Sequence, residues 1–376
     1  MKRFIIILIT VLISQFATTV VAQDFQDLKM KLTHGTTFVG GLHFQTWGIE
    51  GDQRVTEWVI PAVYLIPINR RLNFDIWTAP TFASFSSVDG GLNGLSDTRI
   101  RGSYLMMQES LLLTAGINLP TGKSSLGAEE SAVASILSIN AMDFRVPNLG
   151  QGFKINLGGA YAQELNGTMV GGGIGLLLQG AFKPVKGSDF KYTPGNEITL
   201  TLGADRSVEF GGREFKLTGD MAYTLYGNDE LDGQEVFKSG NKLLIDLRSA
   251  FNIEPIDVMV YLRNRSKGKN QSGIGNIIEE SNNSNGNQFE LGGMGFYPFD
   301  ERITLKGLLD IKMHSRNANE TAGAFIFGIG GGAAYTWSEK MVFDGLIKFS
   351  KGSLKVPDDS VGLTGFEIGV GIRYKL

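Results

Sequence analysis

The sequence predicts an all-β protein, a transmembrane antiparallel β-barrel of about sixteen strands, with about fourteen as the alternative. Segments in which apolar and polar residues alternate recur along the chain, and the last residues alternate in the same way. A short apolar stretch with a basic start precedes them. Glycine is abundant, at 50 of 376 residues, as in large antiparallel β proteins.

The N-terminus has the features of an export signal. Lys2 and Arg3 supply a positive start, residues 4–13 are almost wholly apolar, and Ala22 ends a small-residue cleavage sequence. The apolar stretch is too short to span a bilayer comfortably, although an N-terminal membrane anchor is the alternative. We therefore expect residues 1–22 to be a signal peptide and residues 23–376 to form a single barrel domain.

Several segments have a period of two residues, which predicts strands with one apolar and one polar face. They include residues 72–77, 99–106, 198–203, 215–223, 242–248, 258–263 and 303–313. The chain has too many apolar strand faces for the core of a soluble protein, because it has few predicted helices that could cover them. We therefore predict apolar faces toward lipid and polar faces toward a lumen. A soluble β-sandwich or propeller is the alternative.

The C-terminal segment has the clearest alternation, because small or charged residues separate its apolar ones throughout. The apolar residues are Phe366, Ile368, Val370, Ile372, Tyr374 and Leu376. A last strand of this kind suits a barrel whose first and last strands pair, so that no backbone edge is left open in lipid.

The connections between these segments alternate in length. Short turns, such as residues 166–168 and 254–255, alternate with long loops, such as residues 183–194, 227–240 and 268–287. Short turns on the periplasmic side and long loops outside are typical of bacterial outer-membrane barrels. We therefore predict export through the periplasm to the outer membrane, with its lipids as partners.

Residues 128–144 break the alternation and predict a short helix within one outer loop, which runs from Pro120 to about Gly150. Glu129 and Glu130 would favour the N-terminus of this helix. Counting the segment as a helix leaves an even number of strands, as single-chain bacterial barrels require. The helix would act as a lid or plug at the barrel mouth. Its plug candidates, spaced three and four residues apart, are Val133, Ile136, Leu137, Asn140 and Phe144.

Residues on the predicted polar faces are the candidates for a solute path. Charges of both signs are mixed there, so they either contact water or pair across strands in a lattice that stiffens the wall. The candidates are Asp75, Trp77, Arg99, Arg101, Asp220, Asp246, Arg248, Tyr261, Arg263 and Asp310. Trp77 is the aromatic residue that we would test as a ligand contact. Trp47, Trp58 and Tyr64 are predicted to be interfacial anchors.

Motifs for other chemistry are weak. The chain has no cysteine, which excludes disulfides, thiol chemistry and cysteine-ligated metals. Its three histidines do not cluster at a ligand spacing, so we predict no metal and no cofactor. The net charge of −3 gives no sign of nucleic-acid binding. The glycine runs at 171–175 and 330–332 lack the lysine of a phosphate loop, and we interpret them as relieving crowding in curved strands.

A hydrolytic site is also weakly supported. His314 and Ser315 could serve a membrane-embedded hydrolase, but alternation places them on opposite faces and no third orienting residue has a recognisable spacing. We therefore predict no catalytic residues.

Residues 94–122 read GLSDTRIRGSYLMMQESLLLTAGINLPTG. They resemble the bacterial outer-membrane transporter family named for the meta-pathway of phenol degradation, whose members begin with Gly-Leu-Gly-Asp and end with Leu-Pro-Thr-Gly around two strands and a tight turn. Here Ser96 stands in place of the second glycine. This family is grouped loosely with channels that take up fatty acids and aromatic hydrocarbons.

The C-terminus is similar to the signal that the barrel-assembly machinery reads, which implies that machinery as a partner during biogenesis. Tyr374 is third from the end, whereas Leu376 stands where the signal usually has Phe or Trp.

We therefore expect an outer-membrane channel or transporter, porin-like and not an enzyme, for passive uptake of small molecules, hydrophobic or aromatic ones among them. A structural or adhesive barrel with a closed lumen is the alternative, and a membrane-embedded hydrolase is a minor one.

Overall fold

The structure is a computed structural model that describes residues 35–317, 323–356 and 359–376. The predicted signal peptide lies outside these residues. The described strands are β1 (Thr37–Ile49), β2 (Gln53–Val59), β3 (Ala62–Pro67), β4 (Leu72–Thr78), β5 (Pro80–Phe85), β6 (Gly91–Leu95), β7 (Thr98–Met106), β8 (Leu111–Leu119), β9 (Lys154–Leu165), β10 (Thr168–Gln179), β11 (Tyr192–Thr193), β12 (Glu197–Phe210), β13 (Arg213–Tyr226), β14 (Asn228–Leu231), β15 (Gln234–Lys238), β16 (Lys242–Ile253), β17 (Ile256–Lys267), β18 (Gln271–Ser272), β19 (Ile278–Glu279), β20 (Gln288–Pro298), β21 (Ile303–His314), β22 (Ala324–Ser338), β23 (Met341–Val356) and β24 (Asp359–Lys375). One α-helix, α1 (Ala128–Leu137), and a short 3₁₀-helix (Met107–Glu109) complete the described elements.

Most of these strands form one closed antiparallel sheet, a barrel of 16 strands within the described residues. The first and last strands close it, because β1 pairs with β24 from Thr37 opposite Lys375 to Ile49 opposite Leu363. This closure confirms the predicted fold class and leaves no open edge between the chain ends.

Three barrel strands are interrupted once each, so that β2 and β3, β4 and β5, and β6 and β7 are halves of one strand. β2 and β3 keep a single register against β1, and the break falls at Ile60 and Pro61 because proline has no N–H to donate. The third break is a bulge, since Trp77 pairs with Arg99 but Pro80 pairs with Leu95.

The barrel wall is apolar outside and polar inside. Large apolar side chains such as Leu309 (47% exposed) alternate with buried acids such as Asp246 (1%) and Asp310 (3%). A soluble sandwich would bury the apolar face instead. The alternation therefore confirms that the apolar faces point away from the lumen, as a transmembrane barrel requires.

The two ends of the barrel differ. The described chain ends meet at the end that carries the short turns, where the Leu376 N–H donates to the Thr36 carbonyl at 2.8 Å. At the opposite end, three long loops contribute β11, β14, β15, β18 and β19 to a second sheet of five strands. This sidedness matches the predicted short periplasmic turns and long outer loops.

Residues 120–153 join β8 to β9 as the loop that contains α1, and we call them the inner loop because they fold into the barrel. The predicted helix over 128–144 is too long, since α1 ends at Leu137. Beyond the helix, Asp143 has a positive φ of 53°. Wall side chains bind the backbone of Met142, Arg145 and Val146 in place of helical partners. No helix in the described part of the chain is long and apolar enough to cross a membrane.

Candidate functional site: the constricted lumen

The inner loop packs against one side of the outer lumen through apolar contacts. Val133 and Leu137 of α1 and Phe144 further along the loop are almost completely buried. They belong to one cluster with inward residues of β1, β2, β5, β6, β22 and β24. Ile136 packs against the same cluster, whereas Asn140 is not part of it. The apolar spacing that predicted a helix therefore predicts the packed face correctly as far as Leu137.

Wall side chains also bind the loop backbone directly. Gln45 Nε2 and Trp47 Nε1 donate to the carbonyl of Met142 at 2.7 and 2.9 Å. Trp47 is 5% exposed and points into the lumen, so the prediction that it anchors the barrel at the membrane interface is wrong. Alternation decides its face, because it lies two residues from Gln45 on the inner side of β1. Trp58 and Tyr64 do lie on the exposed outer surface.

Ion pairs hold the same stretch of the loop to other strands. Asp143 accepts a hydrogen bond from Lys312 Nζ of β21 at 2.6 Å. The guanidinium of Arg145 lies 3.5 Å from the Glu367 carboxylate of β24, which also contacts His43 Nε2 of β1 at 2.8 Å. Ion pairs from two strands, β21 and β24, therefore hold Asp143 and Arg145 of the loop, and His43 of β1 supports the second pair.

Both ends of the inner loop are fastened by Asp97. Its Oδ1 accepts the Gly122 N–H at 3.0 Å, and its Oδ2 accepts the Gln151 N–H at 2.8 Å. Thr121 Oγ1 donates to the Ser96 carbonyl at 3.1 Å. A side chain at Gly122 would overlap the Leu149 carbonyl, so only glycine fits. Asp97 and Gly122, from the two ends of the motif at 94–122, thus lie in contact and hold the ends of the inner loop together. We call these hydrogen bonds of Asp97 the clasp.

Beneath the inner loop lies a solvent-connected cavity, with about 70 Å³ of room for the centres of water molecules. Met294, Leu308 and Leu346 form an apolar part of its lining. Two ion pairs border this part, one between Lys306 and Asp344 and one between Lys348 Nζ and Asp310 Oδ2 at 2.6 Å.

Glycines of β22 make room for these ion pairs. Gly328 is the register partner of Asp310 on β21, and Lys348 reaches over it from β23. A Cβ at Gly328 would overlap Asp310 Oδ1 and lie 2.6 Å from Lys348 Cε. Relief of crowding explains this glycine-rich strand, and a phosphate loop does not.

The predicted lumen residues lie on the inner face of the wall but in separate groups. Asp75 accepts a hydrogen bond from Arg101 Nε at 2.8 Å and faces Arg99 at 3.8 Å, while Arg99 lies 5.9 Å from the Trp77 ring centroid. Trp77 thus packs beside a cation. Asp220 is buried on β13 at the register position of Asp246.

A second group is built around Asp246, which lies 2.5 Å from Arg248 and 2.8 Å from Arg263. The hydroxyl of Tyr261 donates to Glu290 at 3.2 Å. Tyr261 and Asp310 alone among the ten predicted lumen residues border the cavity beneath the inner loop. Much of the predicted charge is therefore paired across strands, as the lattice interpretation requires.

Sequence reasoning missed the residues that hold the inner loop: Gln45, Glu57, Asp97, Asp143 and Arg145. Asp97 alone carried a signal, because it lies in the motif at 94–122. The others join loop and wall over long sequence separations, for which a period of two gives no information.

The sequence features of other chemistry do not form a site. Among the described residues, no group of three or more His, Cys, Asp and Glu could hold a metal ion. β21 ends at His314, and Ser315 Oγ accepts the Asn287 N–H at 2.7 Å, which uses this hydroxyl in a loop contact.

The fold and its constricted lumen define a transmembrane antiparallel β-barrel. No protein-family model and no curated protein matches the chain. Among solved structures it is similar to OprB of Pseudomonas putida, with a TM-score of 0.52 at 10% identity, covering 94% of this chain and 97% of that one. At that identity the likeness shows a shared fold.

Two further solved structures are similar to this chain over most of their length. A FadL homologue of Pseudomonas aeruginosa has a TM-score of 0.47 at 9% identity and 92% coverage of each chain. The monoaromatic hydrocarbon channel CymD has a TM-score of 0.44 at 13% identity, covering 93% of this chain and 90% of that one. The resemblance of residues 94–122 to the meta-pathway family stays a prediction.

Proposed function

We propose that this protein is a non-enzymatic outer-membrane channel for passive uptake of small molecules, hydrophobic or aromatic ones among them. One observation carries the proposal: the inner loop lies within the lumen and leaves a solvent-connected cavity beneath it. Passage of a solute through the barrel requires unfilled space of this kind.

The lining of the cavity supports the proposed solute class. Met294, Leu308 and Leu346 offer apolar contacts within an otherwise charged lumen. Apolar side chains that face a polar interior usually mark a binding surface. Each lysine of the two neighbouring ion pairs contacts a carboxylate of the wall, so these lysines do not cover the apolar part.

The alternative function is a structural or adhesive barrel with a closed lumen. The dense ion pairing of the wall favours it, because a lattice of cross-strand pairs stiffens a barrel without any solute path. The outer sheet built from β11, β14, β15, β18 and β19 would then carry the external contacts.

Planar-bilayer recording separates the two functions. We expect discrete conductance steps from the purified wild-type chain and larger steps after deletion of residues 128–144, because α1 and the segment behind it lie within the outer lumen. Replacing residues 274–277, at the tip of the outer β18–β19 hairpin, with serines should leave the conductance unchanged. A barrel that stays silent even after the deletion would exclude the channel.

A further inference from the structure

The inner loop packs more closely against one side of the outer lumen than against the other. Its apolar contacts are with β1, β2, β5, β6, β22 and β24. Toward the other side, which the outer ends of β9 to β21 border, its contacts are polar: Asp143 binds Lys312 of β21, and Leu126 binds the backbone of the loop between β10 and β11. A solute that enters on this second side must pass the ends of these strands before it reaches the cavity beneath the loop.

Four cationic side chains stand on the inner face at the outer ends of these strands, and we call them the basic arc. They are Lys154 of β9, Lys242 of β16, and Arg265 and Lys267 of β17. Lys242 is the direct register partner of Lys267, and Arg265 lies two residues away on the same face. Like charges placed opposite each other in a sheet are destabilising.

The basic arc differs from the cations deeper in the lumen. Arg101, Arg248, Arg263, Lys306 and Lys348 each contact a carboxylate in a salt bridge. Within the described residues, none of the four arc cations lies within 4.0 Å of a carboxylate oxygen. Their contacts are with neutral groups instead: Lys154 with Gln151 at 2.7 Å, Arg265 with Gln288 at 3.1 Å, and Lys242 with the Tyr226 ring at 6.0 Å.

Five carboxylates act on the arc from beyond salt-bridge distance. Glu197 acts on Lys154 and Lys242, and Asp97 also acts on Lys154. Asp143 acts on Arg265, while Asp229 and Glu280 act on Lys267. Four of the five are engaged elsewhere: Asp97 and Asp143 hold the inner loop, and Asp229 and Glu280 accept N–H groups in the outer loops. Among the described residues, the register pair of Lys242 and Lys267 therefore has no carboxylate oxygen within 4.0 Å.

We infer that the basic arc is an entry site for small anionic solutes, which carry a carboxylate or a comparable acidic group. An anion between Lys242 and Lys267 would relieve their repulsion and would give both lysines the close negative partner that the described residues do not supply. This inference deepens the proposed channel function and rests on it for transport, whereas anion binding at the arc does not require conduction.

Ion selectivity tests the transport side of the inference. In a gradient of KCl across a planar bilayer, the reversal potential of the wild-type channel should show preference for chloride over potassium. The double variant Lys242→Glu, Lys267→Glu should shift the preference toward potassium, and Lys242→Gln, Lys267→Gln should fall between. The double variant Arg213→Glu, Arg302→Glu, the same charge change at turns on the opposite end of the barrel, is the matched control.

Binding of pyranine, a fluorescent trianion, tests the site without conduction. At low salt, the fluorescence anisotropy of pyranine should rise with detergent-purified wild-type protein, and binding should weaken about 10-fold or more in the Glu double variant. The cation methyl viologen should not compete. Retained heat-modifiable migration in gels would show that the variants are folded.

The outcomes distinguish the two proposals. Arc-dependent pyranine binding by a barrel that does not conduct would exclude the channel and uphold the anion site. Conduction without anion preference would overturn the anion site. So would a reversal potential and a pyranine affinity that are both unchanged in the Glu double variant. Either result would leave the channel proposal intact.

Discussion

The carboxylate of Glu57 accepts the backbone N–H of Arg145 at 2.9 Å, which ties the middle of the inner loop to β2 on the barrel wall. The same carboxylate accepts the Val146 N–H at 3.1 Å, and Glu57 is 0% exposed. One buried side chain therefore satisfies two backbone donors that a continued helix would have bonded internally.

Replacing Glu57 should loosen this contact. Glu57→Gln keeps one acceptor oxygen and sets an NH₂ group against a backbone donor, so we expect a loss of about 1–3 kcal/mol in the free energy of unfolding. The thermal unfolding midpoint in detergent measures it. Glu339→Gln, in an exposed turn, should have no effect, and an equal midpoint for both variants would contradict the proposed tie.

The clasp at Asp97 should control how firmly the inner loop is held. Asp97→Ala removes the acceptors of the Gly122 and Gln151 N–H groups. We expect faster amide hydrogen exchange across residues 122–151 with little change in the barrel strands, because local opening precedes global unfolding. Asp89→Ala, an exposed acid in the neighbouring β5–β6 turn, is the control. Unchanged protection in Asp97→Ala would show that the clasp is dispensable.

The ion pair between Asp310 and Lys348 should depend on the glycine between them. Gly328→Ala would force both side chains aside, and we expect a loss of about 1–3 kcal/mol in stability from this overpacking. Gly307→Ala is the matched control, since its Cβ would meet nothing within 4 Å. Chemical unfolding of both variants measures the difference. Equal free energies of unfolding for the two variants would show that the barrel wall accommodates the added methyl group without loss of stability.

Acid should loosen the start of α1. The hydrogen bond from Lys123, followed by that from the Gly127 N–H at 3.0 Å, holds the pKa of Glu130 below its ordinary value of 4.5. A depressed pKa in the folded state stabilises the protein above pH 4.5 and loses that effect as pH falls through the folded value. Hydrogen exchange of residues 127–131 should therefore rise below pH 4.5 beyond its intrinsic rate.

Glu130→Gln is the control for that titration. The variant should show weaker protection at neutral pH and no additional loss in acid. An acid-dependent loss of the same size in Glu130→Gln would assign the effect to another group.

The alternation of apolar and polar residues predicted which side chains face the lumen. It did not predict which of them form ion pairs. Alternation placed Asp75, Asp246 and Asp310 on the inner side because a strand turns successive side chains to opposite faces. It did not distinguish those that pair within the wall from Lys242 and Lys267, because cross-strand partners depend on the register between strands.

The sequence by itself determined the closed barrel, the direction of its apolar faces and the existence of one loop helix, since each follows from periodicities of a few residues. The tertiary structure alone decided that the inner loop enters the lumen and where it stops. The contacts responsible join residues 88, 169 and 222 positions apart: Glu57 with Arg145, Asp143 with Lys312, and Arg145 with Glu367. Such pairs exist only after the sheet has closed and brought distant strands around one lumen.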